Sequence, residues 1–305
     1  MSSPLAWVES PLQLIGAAEW AAARRRRVDV AARLTPQVEQ TASELTSRGA
    51  MFGMQAGYYG VPWRLLAAHD HWLVGDGFSG QFRLAAALLR PKMLTFLDDG
   101  LNAIAFADAL TGSRRYSRPG VAERGLATRV APLALDTIRL RAAAGRVEVH
   151  TAFPLGDGRE RALRDLGAAV SRHGFEWLRG AHPSAGARSR IPRGRVILGS
   201  ARVADGHMSC AEYVAWVRRE SRGAHVVYLP HRREEAATLG PVSALEGIEV
   251  IRPGLPVELV LADGRDREIV MLTSSAAVTL RRVLDGTGSV VRERATSTAG
   301  EEITA

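Results

Sequence analysis

VVYLPHRREE, residues 226–235, is the stretch on which the reading of the fold turns. Val226, Val227, Tyr228 and Leu229 are β-branched, aromatic or aliphatic, the composition of a strand buried on both faces of an α/β sheet. Pro230 has no N–H to continue a ladder, and residues 234–239 read as a helix start. In open α/β sheets ligands bind beyond the carboxyl ends of the strands, which is where this break falls. Pro230, His231, Arg232 and Arg233 arrive there together. An imidazole that donates from a ring nitrogen, followed by two guanidinium groups, suits an anionic leaving group such as phosphate.

Working outward, residues 248–251 form another strand, and the turn that follows places Glu258 in the first turn of a helix, 27 residues after His231. Residues 269–272 are a further strand, from which Thr273, Ser274 and Ser275 lead into a helix near Ala276. Successive hydroxyls and backbone N–H groups at a helix start can hold an anion, although Ser-Ser alone is ordinarily a cap. Upstream, residues 196–198 are a strand, and Gly199-Ser200 begins a loop that a ligand can approach closely because glycine has no side chain. Residues 175–195 shift to Gly, Ala, Ser, Pro and Arg, a linker signal. His182-Pro183 lies in that linker with no strand before it, and is read as a decoy of the His231 motif.

The first half alternates strand and helix. Strands are expected at residues 6–8, 28–34, 71–74 and 93–97, with 147–150 as the last strand, and helices at 12–23, 36–46 and 80–89. Such alternation implies a parallel, doubly wound sheet. Two of its strands end in chemistry: residues 71–74 run into Gly75-Asp76-Gly77, and residues 93–97 present Asp98, Asp99 and Gly100. Asp76 lacks the second acid of an Asp-X-Asp metal pair, so acceptor binding or turn chemistry is assigned to it and no metal site is expected. Gly-rich turns here carry neither the lysine of a P-loop nor a full dinucleotide fingerprint. Residues 51–63 carry no readable code.

Asp98-Asp99-Gly100, His231, Glu258 and Ser274-Ser275, in this order and preceded by Ser-Pro-Leu-Gln at residues 10–13, resemble the bacterial sialyltransferases and polysialyltransferase-like glycosyltransferases of GT-B type. The resemblance covers roughly residues 5–285, and it rests on order and spacing, since no single motif is specific. Arg232 departs from it, standing where the family has proline after the histidine. The resemblance implies an α/β protein of two Rossmann-like doubly wound domains facing a central cleft. Residues 1–180 would be the acceptor-side domain with the general base, 181–195 the linker, 196–290 the nucleotide-sugar domain and 291–305 a disordered tail. It further implies inverting, metal-independent transfer of an acidic, sialic-acid-like nonulosonate from a CMP-sugar to a hydroxyl of a glycan or small-molecule acceptor, with no cofactor beyond the donor. In that scheme Asp99 is the general base and His231, Ser274 and Ser275 hydrogen-bond the departing CMP phosphate. Glu258 takes the ribose hydroxyls; Ser10, Gly199, Ser200, Pro230 and Arg232 complete the donor site; Gln13, Asp76 and Asp98 line the acceptor side. Alternatives are a transferase using another nucleotide sugar, such as CMP-Kdo, or a nucleotide-binding module without turnover, for which Arg232 is the sign.

Composition bounds the rest. A chain of 305 residues with 46% hydrophobic and 24% charged residues suffices for two ordinary globular α/β domains. Cys210 is the only cysteine, which excludes an internal disulfide and a cysteine-cluster metal site, and it has no partner as a nucleophile. With no signal-peptide pattern and no apolar run of membrane-spanning length, a cytoplasmic location is expected. Lys92 is the only lysine among the 40 Lys and Arg residues behind the net charge of +8, and the arginines are dispersed, not striped with aromatics. That pattern argues against a dedicated nucleic-acid protein and suits anionic nucleotide sugars, while leaving room for peripheral association with the anionic inner face of a membrane. The run Arg24-Arg25-Arg26-Arg27 is expected to close a helix, where cations meet the helix dipole favourably.

Overall fold

Ser-Pro and Thr-Pro dipeptides open the first two helices by one device: proline supplies the fixed φ of the first helical position while the preceding hydroxyl caps a free N–H. The computed structural model describes residues 3–98, 100–181, 191–221 and 224–295, with no side-chain detail at 126 and 127. The chain divides into two units, Met1–Ala187 and Arg188–Ala305, at a point inside the expected linker. Asp99 and the His182-Pro183 decoy lie outside the described residues.

In the first unit the elements run β1 (Leu5–Val8), α1 (Pro11–Arg24), β2 (Val28–Arg33), α2 (Pro36–Ser47), β3 (Phe52–Tyr58), α3 (Trp63–Ala68), β4 (His71–Val74), α4 (Gly80–Leu89), β5 (Met93–Phe96), α5 (Asn102–Thr111), α6 (Leu126–Ala143), β6 (Val147–Thr151), α7 (Asp157–Asp165), β7 (Ala169–Arg172) and α8 (Glu176–Gly180). They build a parallel sheet in the order β3-β2-β1-β4-β5-β6-β7. β1, β4 and β6 are buried along their whole length, as strands covered by helices on both faces must be. Leu5, Trp7, Trp72, Val74, Leu94 and Phe96 face one layer with Phe82, Phe106 and Ile138.

The second unit runs β8 (Gly194–Leu198), α9 (Cys210–Ser221), β9 (Val226–Leu229), α10 (Ala236–Ser243), β10 (Ile248–Val250), α11 (Val257–Leu261), β11 (Arg267–Leu272), α12 (Ala276–Val283) and β12 (Val290–Arg294). Its parallel sheet has the order β10-β9-β8-β11-β12. The period of two divides its strands between two cores. Val196, Leu198, Val227, Leu229, Ile269 and Met271 pack with Val260 and Leu280, while Ile197, Val226, Tyr228, Val270 and Leu272 pack with Tyr213, Trp216 and Val217 of α9.

Three expectations are corrected. β7 lies beyond β6 at the edge of the first sheet, so residues 147–150 are not the last strand; β7 is only partly buried and carries little apolar signal. β3 occupies part of the stretch that read as codeless, because edge residues such as Gln55 face solvent and break the apolar pattern. Residues 291–294, assigned to the tail, belong to β12, which pairs in register with β11 through Arg294; its charges are met by Arg292–Glu268 and Arg281–Glu293 ion pairs.

Candidate functional site

Each sheet reverses its winding at one place, between β1 and β4 in the first unit and between β8 and β11 in the second. Loops leaving the carboxyl ends of the two strands at such a switch point diverge and open a crevice for a ligand. In the second unit those loops are Gly199-Ser200 and Thr273-Ser274-Ser275. The Pro230-His231-Arg232-Arg233 segment leaves the same edge from β9, the strand beside β8. Gly199, Ser200, Pro230, His231, Arg232, Ser274 and Ser275 are therefore on one edge of one sheet.

His231 is half-buried, and its Nδ1 accepts the Arg233 N–H at 3.2 Å, which leaves Nε2 to carry the ring proton. Burial first, then the Arg232 and Arg233 guanidinium groups, hold its pKa below the ordinary histidine value, so near neutral pH it is an uncharged donor. Arg232 is exposed and forms no ion pair with a described residue, whereas Arg233 pairs with Asp205. Ser274 is exposed and caps the Ala276 N–H at 3.1 Å; Ser275 is the N-cap residue of α12 but its side chain makes no capping bond. The edge thus offers an imidazole N–H, a guanidinium and the hydroxyls of Ser274 and Ser275 as donors, while the first N–H groups of α12 are already taken, Ala276 by Ser274 Oγ, Ala277 by the Ser274 carbonyl and Val278 by the Ser275 carbonyl.

A carboxyl group that sequence reasoning passed over sits behind this loop. Glu234 Oε1 accepts Tyr213 OH at 2.5 Å, Tyr228 OH at 2.6 Å and the Ser200 N–H at 3.0 Å, and the two phenolic oxygens are 2.7 Å apart. Both tyrosines are fully buried. Burial raises the Glu234 pKa above the usual carboxylate range despite these donors, and raises both phenols well above theirs. A β-carbon at Gly199 would stand 2.5 Å from the His231 backbone nitrogen and 2.7 and 2.8 Å from the Glu234 oxygens, so only glycine fits between them. The available signal was Tyr228, whose hydroxyl in an apolar strand needs a buried partner.

Glu258 departs from its assignment. It stands in the first turn of α11 as expected, but it is 7% exposed and its carboxyl accepts Thr279 Oγ1 of α12 at 2.7 Å. Burial raises its pKa. The group ties two helices together.

In the first unit the motif residues are drawn into the fold. Ser10 and Gln13 form the capping box of α1: Gln13 Oε1 accepts the Glu9 N–H at 2.7 Å and the Ser10 N–H at 3.2 Å, and Ser10 Oγ accepts the Gln13 N–H at 3.4 Å. Gln13, expected on the acceptor side, is 1% exposed and serves this cap together with Ser10. Asp76 makes a local turn by accepting the Phe78 N–H at 2.8 Å and pairs with Arg118, so of its two assignments the geometry realises turn chemistry. Asp98, expected on the acceptor side, is 1% exposed and accepts Thr151 Oγ1, the Ala152 N–H at 2.6 Å and the His173 ring at 3.2 Å, so both its oxygens are bonded inside the unit. From Asp98 a buried polar chain crosses the sheet. His173 stacks on His150 at 4.7 Å, His150 bonds Ser171 at 2.8 Å, and Ser171 donates to Glu148 at 2.5 Å. Glu148 accepts Trp20 and Thr95, and Thr95 bonds His71. Burial first, with nearby positive charge, lowers His71 to about 4 and His150 to about 3. Arg24, expected only as a helix end, also reaches Glu148.

A cavity of about 410 Å³ in the first unit is walled by residues 115–123 and α6 and contains none of the motif residues. Its Glu123 is clamped by the buried Arg83 at 2.6 and 3.1 Å. Among the described residues no group of three or more His, Cys, Asp or Glu is placed to hold a metal ion, and no helix is long and apolar enough to cross a membrane. No protein-family model matches the chain, and no curated protein sequence matches it.

Proposed function

We propose that the chain is a glycosyltransferase whose second unit binds a CMP-activated acidic sugar. The observation that carries this reading is the placement of Gly199, Ser200, His231, Arg232, Ser274 and Ser275 on the carboxyl edge of a doubly wound parallel sheet, around its switch point. As the glycosidic bond to phosphate breaks, the anomeric carbon gains oxocarbenium character and negative charge grows on the departing CMP. Neutral His231 donates from Nε2 and Ser274 and Ser275 donate from their hydroxyls, so both interactions strengthen as that charge develops. Arg232, where the resemblance has proline, adds a guanidinium that can grip the phosphate in two bonds. The acceptor proton is assigned to Asp99 from the resemblance, and direct displacement inverts the anomeric centre.

Incubation with CMP-sialic acid and a panel of hydroxyl acceptors, followed by CMP release and product analysis, tests the proposal. Transfer should survive EDTA, because His231, Arg232 and the serine pair stabilise the phosphate charge; a strict metal requirement would contradict that part. Asp99→Asn should lower transfer by about two orders of magnitude while leaving CMP affinity in place. CMP binding without CMP release would favour a nucleotide-binding module, a reading supported by the commitment of Asp98 to the core.

A further inference from the structure

We propose that Glu234 is a positioning residue that latches the Gly199–Ser200 loop at the sheet edge through a three-oxygen cluster with Tyr213 and Tyr228. As regards the ligand this rests on the nucleotide reading above; the latch itself rests on the cluster alone.

The cluster contains three oxygen–oxygen contacts of 2.5, 2.6 and 2.7 Å but only two phenolic protons. A third proton, on Glu234 Oε1, gives every contact one hydrogen when the three donate in a ring, the carboxyl to one phenol, that phenol to the other and the second phenol back to Oε1. Among the described residues no Arg, Lys or His pairs with Glu234, and its Oε2 is buried with no hydrogen-bond partner, so an anion there is costly. The groups that face the carboxyl are Tyr213 from α9, Tyr228 from β9, the Ser200 N–H from the loop after β8 and the His231 backbone N–H from its own loop; burial outweighs these donors and keeps the pKa raised. In its own loop His231 is uncharged near neutral pH, Arg232 is exposed, Arg233 is turned to Asp205 of the loop after β8, and Glu235 is exposed.

The consequence for binding follows from position. Ser200 N–H points at both Tyr213 OH, 2.8 Å away, and Glu234 Oε1, so the loop's backbone is set by this cluster. Gly199 lies against the Glu234 oxygens and the His231 nitrogen with no room for a side chain. The carboxyl therefore spaces the loop after β8 from the loop after β9. Protonated, it holds both loops without adding negative charge beside an anionic ligand. Ionised, it leaves one of the three contacts without a hydrogen and repels the ligand's phosphate.

The test uses the full chain, CMP as probe and Glu234→Gln, which keeps an acceptor oxygen for the tyrosines and cannot ionise. CMP affinity is titrated calorimetrically upward from the ordinary carboxylate range, about pH 4.5 to 9, with His231 common to both proteins. Both proteins share the ligand's own titration, so the difference between their profiles is what reports on Glu234. Wild type should lose about fivefold or more in affinity relative to Glu234→Gln as pH rises. Identical profiles in two proteins that both bind CMP overturn the latch and leave the nucleotide reading intact. Melting without ligand gives an independent readout. A carboxyl whose folded pKa is raised destabilises the fold as pH rises through that pKa, so the wild-type melting temperature should fall relative to Glu234→Gln. Parallel melting curves overturn the latch. Diverging curves with no CMP binding by wild type support the latch and overturn the nucleotide reading.

Discussion

Replacing Gly199 by alanine isolates the steric logic of the proposed site. The new β-carbon would stand 2.5 Å from a backbone nitrogen of the neighbouring loop, where ordinary contact needs about 1 Å more. Backbone cannot swing aside as a side-chain tip can, so the loop after β8 must retreat. The Ser200 N–H, now 2.8 Å from Tyr213 and 3.0 Å from Glu234, would then pass the limit of a useful hydrogen bond. Overpacking of roughly 1–3 kcal/mol plus about 1 kcal/mol for the lost bond gives a destabilisation of about 2–4 kcal/mol. Gly240 is the internal control. It lies within α10 of the same unit, a β-carbon there meets nothing within 4 Å, and Gly240→Ala should be neutral or stabilise by up to about 1 kcal/mol. Urea denaturation of the two variants, with CMP titration of each, reads both effects. Equal stability and equal CMP affinity for Gly199→Ala and Gly240→Ala would refute the argument.

Other consequences follow from the same geometry. His231→Ala should weaken CMP binding by about 10- to 150-fold, the worth of a hydrogen bond to a charged group, and Arg232→Pro should weaken it less; calorimetric titration separates them. Asp98→Ala strands the Thr151, Ala152 and His173 donors in the core, so it should cost roughly 3 kcal/mol or more of stability, seen as a lower melting temperature. His71 and His150 are buried neutral, with folded pKa values of about 4 and about 3. Because the unfolded chain binds those protons first, stability should fall as pH drops from about 6.5 toward 4, by on the order of 3 kcal/mol for His71 alone. Replacing His71 with an uncharged residue of similar size should flatten the acid limb of a melting-temperature profile, and an unchanged limb would contradict the burial argument.

Much of this was legible in the chain. Short runs such as Ala6-Trp7-Val8 and Val226-Val227-Tyr228-Leu229 are apolar on both sides, and only strands sandwiched between helices need that. The strand ends carrying His231 and Ser274-Ser275 were readable because Pro230 and the serine pair interrupt the apolar pattern abruptly. The position of a side chain's far end was not readable. Glu258 and Asp98 look like site carboxylates by spacing, yet helix direction turns one toward Thr279 and strand order brings Thr151 and His173 to the other. Glu234 stands in a stretch that reads only as a helix start, and its role depends on Tyr213, 21 residues upstream on α9. β3, β7 and β12 escaped or were cut short because strands near a sheet edge mix polar and apolar residues and lose the all-apolar signature.

The central claim is that a nucleotide binds at the carboxyl edge of the second sheet. Titration of isotopically labelled full-length protein with CMP, followed by backbone amide chemical shifts, tests it most directly. The shifts should concentrate at residues 199–200, 231–233 and 274–276, with residues of the first unit such as Gln13 and Asp98 unmoved by direct contact. Saturable shifts confined to the first unit, or no shifts at millimolar CMP, would contradict the account.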